Sequence, residues 1–204
     1  MSGHPEDAQI QILTGEYTLF SPRGAVVELD LGCGSGSYTA ALAARFPERR
    51  IIAADVMLGR LRRVVRRINT AGLANVDILR VEAGMLVSRM LPDRSLNRIH
   101  LLCPDPWPKE RHRGHRLMTS DFTAQLHRVL REEGIFHFSS DDEPCREMVR
   151  EVLEESRLFA PAPEALADLD GLCSDFERRW QKAGRRVLHF AWRRLPPPPK
   201  GVGH

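Results

Sequence analysis

The apolar positions of the chain fall into short continuous runs separated by longer amphipathic stretches. Ala25 to Leu31 (Ala-Val-Val-Glu-Leu-Asp-Leu) reads as a buried strand entering the turn Gly32-Cys33-Gly34-Ser35-Gly36, and Tyr38 to Phe46 reads as a helix ended by Pro47. Ile51 to Val56 is a second strand. An arginine-rich helix follows, with Leu61, Val64, Val65 and Ile68 on its buried face, and ends near Gly72. Val76 to Val81, Arg98 to Cys103 and Gly134 to Ser140 give three more strands, and helical spacing recurs at Thr119 to Leu130 and Cys145 to Glu155. Strands alternating with helices predict an α/β fold with a doubly wound, mostly parallel sheet. Beyond a stretch with few clear signals, Phe159 to Leu172, the last apolar run (Val187 to Trp192) is expected to join the sheet edge as an antiparallel strand. Residues 1–195 are expected to form one domain, and 196–204, which open with Pro196 to Pro199, an extended tail.

Composition narrows this picture. A length of 204 residues suits one domain with a sizeable core, and 42% hydrophobic with 28% charged residues excludes disordered and fibrous classes. No run approaches the roughly 18 apolar residues of a membrane span. Met1 to Asp7 lacks the basic and apolar regions of a signal peptide, so the protein is expected in the cytoplasm, off the membrane, as a monomer or homodimer. Cys33, Cys103, Cys145 and Cys173 are far apart, with no Cys-x-x-Cys pair and no His at zinc-ligand spacing; free thiols and no metal are expected.

Candidate chemistry begins at the glycine loop. Gly32, Gly34 and Gly36 lie at the carboxyl end of the first predicted strand, where parallel sheets bind ligands. Asp55 ends the second strand about 20 residues on, where an acid accepts hydrogen bonds from a ribose diol. Asp30, two residues before the first glycine, disfavours a pyrophosphate: two unit charges about 4 Å apart at an effective dielectric near 20 interact by roughly 4 kcal/mol. The sulfonium and ammonium of S-adenosylmethionine suit such a site, and the third glycine comes one residue too early for the Gly-x-Gly-x-x-Gly of NAD and FAD sites. Glu82 closes the third strand and Asp105 the fourth, so four acids are expected around one crevice.

Asp105 belongs to Pro104-Asp105-Pro106-Trp107-Pro108-Lys109, whose prolines stiffen the backbone and fix a carboxylate and an indole at the crevice mouth. Trp107 can stack a planar base, and Asp105 can accept hydrogen bonds from its edge. Lys109, Arg111, Arg113 and Arg116 follow with only Glu110 opposing them, which places positive charge beside that pocket.

The chain resembles the bacterial tRNA (guanine-N7)-methyltransferase family. The likeness runs through Asp30 to Gly36, Asp55-Val56, Ser95 to Ile99, Pro104 to Lys109, Arg111-His112, Arg116-Leu117, Gly134 to His137, Ser140-Asp141 and Ser174 to Arg179. It implies a Rossmann-like class I methyltransferase with S-adenosylmethionine as cofactor and tRNA as partner. It also implies that Asp30, Asp55, Glu82 and Asp105 surround the cofactor, Asp105 being the catalytic position, and that Lys109, Asp141, Ser174 and Glu177 contact substrate. The family's usual residues are Glu for Asp30 and Asp55, Asp for Glu82, and Thr-Lys for Ser174-Asp175.

Guanine N7 carries a free lone pair, so in-line attack on a sulfonium methyl needs no general base, and His112, His115 and His137 are expected in surface, RNA-contact or packing roles. Two other functions compete with this one. A small-molecule methyltransferase would keep the glycines and acids without needing the basic run after Trp107, and a non-catalytic RNA-binding relative would have lost cofactor binding.

Overall fold

The computed structural model describes residues 8–13, 15–17, 25–105 and 117–197. Its strands are β1 (Ile10–Ile12), β2 (Val27–Leu31), β3 (Arg50–Asp55), β4 (Val76–Arg80), β5 (Leu96–Leu102), β6 (Leu130–Ser140), β7 (Phe159–Pro161) and β8 (Leu188–Arg194). The helices are α1 (Ser37–Arg45), α2 (Leu58–Thr70), the single turn α3 (Ala83–Met85) that continues as a π-helical turn over Leu86–Met90, α4 (Ser120–Val129), α5 (Glu143–Ser156) and α6 (Asp175–Lys182). A 3-10 segment spans Pro163–Leu169.

The strands form one sheet in the order β1-β4-β3-β2-β5-β6-β8-β7. Strands β1 to β6 pair in parallel, whereas β8 pairs antiparallel with both β6 and β7. The fold is therefore the predicted doubly wound α/β sheet with an antiparallel C-terminal strand. One expectation is corrected: β8 is not the edge, because β7 lies outside it. Three residues ending in Pro161 show no alternation to read, and proline is tolerated there because an edge strand has N–H groups to spare. Strand β6 also begins four residues earlier than expected. Its first part is broken by exposed Glu132 and Glu133, the latter at φ +60°, opposite a register shift at Leu96/Arg98. Such a bulge interrupts the period-2 pattern that sequence reading relies on.

Alternation along the strands divides the sheet into two faces. Leu29, Leu31, Ile52, Ala54, Leu79, Ile99, Leu101, Phe136 and Phe138 pack with α4 and α5 residues such as Leu126 and Val149 in one apolar layer. On the other face Ile51, Ala53 and Ile78 pack against Leu42 of α1 and Leu61, Val64 and Ile68 of α2. Farther across, that second face turns polar: Glu28 and Asp30 of β2 and His100 of β5 are buried there, with His137 of β6 beside them. The 3-10 segment covers this polar patch. Asp168 pairs with Arg49 (3.0 Å) and Arg98 (3.1 Å), and Arg98 also donates to the Ala165 carbonyl.

The chain winds outward from β2 through β3 to β4, then crosses back to place β5 on the other side of β2. The crevice between the carboxyl ends of β2 and β5 is thus the topological switch point, where open α/β sheets bind ligands. No helix among the described residues is long and apolar enough to cross a membrane.

Candidate active site

The glycine loop is shaped by backbone requirements. Gly32, Gly34 and Gly36 all adopt positive φ. At Gly36 (φ +72°) a Cβ would also lie 2.8 Å from Val64 of α2, so close packing as well as conformation demands glycine. Asp55 holds the loop from below: its Oδ2 accepts from the Gly34 amide (3.1 Å) and lies 3.5 Å from Arg60, while Oδ1 accepts from the Met57 amide (2.8 Å). Asp30 is 3% exposed and accepts from the Thr39 hydroxyl of α1 (2.5 Å). Burial pushes its carboxyl pKa up, reinforced by Asp55 and opposed by the Thr39 bond and by His100.

A cavity of about 430 Å³ opens at the switch point, a size typical of small-molecule sites. Asp30 and residues 32–35 of the loop line it together with Cys103, Pro104, exposed Asp105 and, from the C-terminal half, Ser174, Phe176 and Arg179. The structure thus brings Asp30, the loop glycines 32 and 34, Asp105 and Ser174 around one space. Asp55 and Glu82 do not line it. Glu82 caps α3, its two carboxylate oxygens accepting from the Gly84 (2.8 Å) and Met85 (2.7 Å) amides. A carboxylate has about four lone-pair sites, so both acids keep acceptor capacity beyond these bonds. S-adenosylmethionine fits the set: a buried carboxyl with a raised pKa is relieved by a cationic ligand, and the glycine loop lets a ligand approach the backbone.

Tyr38 separates this cavity from a second one of about 810 Å³, lined by His137, His189, Glu177, Gln181 and residues 169–173. Ser174 and Glu177 meet at the start of α6, where the Ser174 hydroxyl accepts from the Glu177 amide (3.1 Å). The adjacent Asp175 amide donates to Ser37 at the start of α1 (2.8 Å), which ties α6 to the end of the glycine loop. Asp175, where a Lys is usual in the resembled family, pairs with Arg67 of α2 (2.8 Å) and Arg178 (2.6 Å). Its charge is spent on these arginines. Asp141 pairs with Arg185 (3.2 Å) and lines neither cavity.

Trp107 and Lys109, with the basic run through Arg116, lie outside the described residues. Sequence reasoning missed Tyr38, His100 and His189, and gave His137 only a general role. The available signal was alternation: Glu28 and Asp30, Arg98 and His100, and His137 and Ser139 are polar pairs spaced two apart with an apolar residue between them. Cys33, Cys103 and Cys173 carry free thiols, and burial pushes the pKa of Cys33 well up and that of Cys103 to about 11. Among the described residues no cluster of His, Cys, Asp and Glu is placed to hold a metal.

Comparison with known proteins agrees with this geometry. A family model described as "Putative methyltransferase" matches residues 24–190. The tRNA (guanine-N(7)-)-methyltransferase of Syntrophotalea carbinolica is 35% identical over 87% of this chain and 78% of its own length. That of Paracidovorax citrulli is 32% identical over 85% of this chain and 70% of its own length. Among solved structures, the 16S rRNA methyltransferase KamB superposes with a TM-score of 0.62 at 19% identity, covering 84% of this chain and 88% of that one, a likeness of fold alone. Identity at this level across most of both sequences, on a sheet whose glycine loop and Asp105 share one crevice, means that the chain belongs to the tRNA (guanine-N7)-methyltransferase family.

Proposed function

We propose that this protein transfers the methyl group of S-adenosylmethionine to N7 of a guanine in tRNA, in the cytoplasm. The observation that carries the reading is the shared cavity: Asp30 and the glycine loop on β2, Asp105 beyond β5, and Ser174 at the start of α6 surround one space at the switch point. Bound there, S-adenosylmethionine supplies an electrophilic methyl on a sulfonium. The residues around it have positioning tasks. Asp30 offers a buried acid to the cationic part of the cofactor, and Asp55 supports the loop while keeping acceptor capacity for a ribose hydroxyl. Glu82, at the next strand end, takes the remaining cofactor contact.

Because N7 attacks with its own lone pair, holding the two reactants in line can account for roughly 7–11 kcal/mol of the barrier. The purine becomes cationic as the methyl arrives. The Asp105 carboxylate favours that charge and accepts from the base edge. Trp107 stacks the base, Lys109 meets a phosphate, and Glu177, on the adjoining cavity, accepts from the N–H groups of the guanine edge.

The test is methyl incorporation from labelled cofactor into two tRNA transcripts, one ordinary and one with 7-deazaguanosine in place of guanosine. Label should enter the first and not the second, since the deaza base has no lone pair at that position. Equal labelling of both would place the methyl elsewhere.

A further inference from the structure

A chain of side chains crosses the polar face of the sheet. Glu28 on β2 accepts from His100 Nε2 of β5 (2.8 Å), His100 Nδ1 faces His137 Nδ1 of β6 (2.9 Å), and His137 Nε2 faces His189 Nδ1 of β8 (2.9 Å). His189 Nε2 then donates to Glu177 Oε1 of α6 (3.0 Å). The inner end is dry, with His100 at 0% and Glu28 at 1% exposure, while His137, His189 and Glu177 line the 810 Å³ cavity.

Counting protons gives the chain a definite charge. It contains four hydrogen bonds, and each needs one hydrogen. Three neutral imidazoles carry three hydrogens, and an ionised carboxylate carries none. With both ends ionised the chain is therefore one proton short, and an unfilled N···N contact in a buried site is expensive. One excess proton fills every bond.

The surroundings decide where that proton rests. Around His100 stand the carboxylates of Glu28, Asp30 and Asp168 and the guanidiniums of Arg49 and Arg98, three acids against two bases. An imidazolium at His100 balances them. The outer end holds Glu177, Asp141 with its partner Arg185, the Cys103 thiol and the amide of Gln181, which also leaves one negative charge. His189 and Glu177 line the cavity, however, where solvent screens that charge, so the proton belongs to the dry inner end. The middle imidazole is unsuited to the charge, because burial and then its two His neighbours push the His137 pKa well down. Tyr38 lies 3.3 Å from His100 Nδ1, and its oxygen can accept part of that N–H bond.

We propose that His100, His137 and His189 form a proton-sharing chain that holds one excess proton between Glu28 and Glu177 and so keeps Glu177 an acceptor facing the 810 Å³ cavity. With the proton on His100, every N–H of the chain points outward. His100 donates to His137, His137 to His189, and His189 to Glu177. The bonds from His189 and Gln181 both fall on Glu177 Oε1, which among the described residues leaves Oε2 for the N–H groups of a ligand. The three histidines are positioning residues. Their action on a base rests on the substrate reading above, but the proton count does not.

The test is nitrogen-15 spectroscopy of the histidine rings in the free, full-length protein between pH 6 and 8.5. Surface histidines, which titrate near 6.5, become neutral across this range. One imidazolium should persist at pH 8.5, assigned to His100, with His137 and His189 both carrying their proton on Nε2. In Glu177→Gln the side-chain amide can itself donate to His189, so three neutral rings fill all four bonds. The imidazolium signal should then be absent at pH 8.5, and His137 and His189 should carry their proton on Nδ1. Three neutral rings in the wild type at pH 8.5 would overturn the proposal, and so would a Glu177→Gln spectrum with the wild-type titration and tautomers. The wild-type spectrum decides the count even if the variant does not fold. Since no tRNA is present, the result is independent of the methyl-incorporation test.

Discussion

The two halves of the sheet's carboxyl rim position their acids by different means. On the β2–β3–β4 side each acid is held locally: Asp30 by a hydroxyl nine residues away, Asp55 by the Gly34 and Met57 amides, and Glu82 by the Gly84 and Met85 amides. On the β5–β6–β8 side Glu177 is held by His189, and His189 by a chain that returns to Glu28 at the far side of the patch. Local anchoring makes the glycine-loop half recognisable as a motif. Long-range anchoring makes the substrate half depend on three strands meeting in register, and it brings ionisable groups into the interior.

The sharpest way to break this comparison is at the residue on the boundary. Asp105→Ala should lower methyl transfer by about 10²–10³-fold, the usual effect of removing one group that stabilises developing charge, with an unchanged far-ultraviolet circular dichroism spectrum. Turnover within about threefold of wild type, under about 1 kcal/mol of barrier, would remove Asp105 from the reaction.

Acid should destabilise the inner end of the histidine chain, at Glu28. Burial alone would raise the pKa of Glu28, but the His100 hydrogen bond and the charges of His100, Arg98 and Arg49 outweigh it and bring the carboxyl from 4.5 to about 2. A pKa lowered on folding stabilises the protein above the unfolded value and ceases to do so as pH falls through the folded one. Between about pH 4.5 and 2 the wild type should therefore lose about 3 kcal/mol from this group. Denaturant unfolding of Glu28→Gln should show a flatter dependence over that window, and parallel curves for the two proteins would contradict the assignment.

On the cofactor side, Asp55→Ala removes the acceptor of two backbone amides and the partner of Arg60. Calorimetry should show S-adenosylmethionine and S-adenosylhomocysteine both weakened by about 1.5–3 kcal/mol. Unchanged affinity would mean that the loop keeps its shape without the acid and that no ribose contact is lost. The smallest effect concerns the basic run. Replacing Lys109 and Arg111 together should lower the slope of log tRNA affinity against log salt by roughly one to two units, while cofactor affinity stays level. A salt-independent substrate affinity would favour a small-molecule methyltransferase.

This contrast also explains what could be read from sequence. The mostly parallel sheet and the glycine loop were legible because each rests on signals close together in sequence: turn glycines, an apolar run, a helix spacing. Proline-stiffened Pro104-Asp105 was legible for the same reason. The segment Phe159 to Leu172 was not, since it is held by Asp168 on Arg49 and Arg98 and by Arg45 on the carbonyls of residues 168 and 170, bonds between positions 67 to 125 apart in sequence. The histidine chain was invisible as a unit. Each histidine is one polar residue between two apolar neighbours, and only the β5-β6-β8 adjacency joins them. Asp175 looked like a reversal of charge toward substrate, whereas its partners are Arg67 and Arg178.

The most direct measurement is mass spectrometry of nucleosides from tRNA incubated with the purified protein and isotope-labelled S-adenosylmethionine. The account predicts label in 7-methylguanosine and in no other nucleoside. Label in a different nucleoside, or none in tRNA from a protein that binds the cofactor, would contradict it.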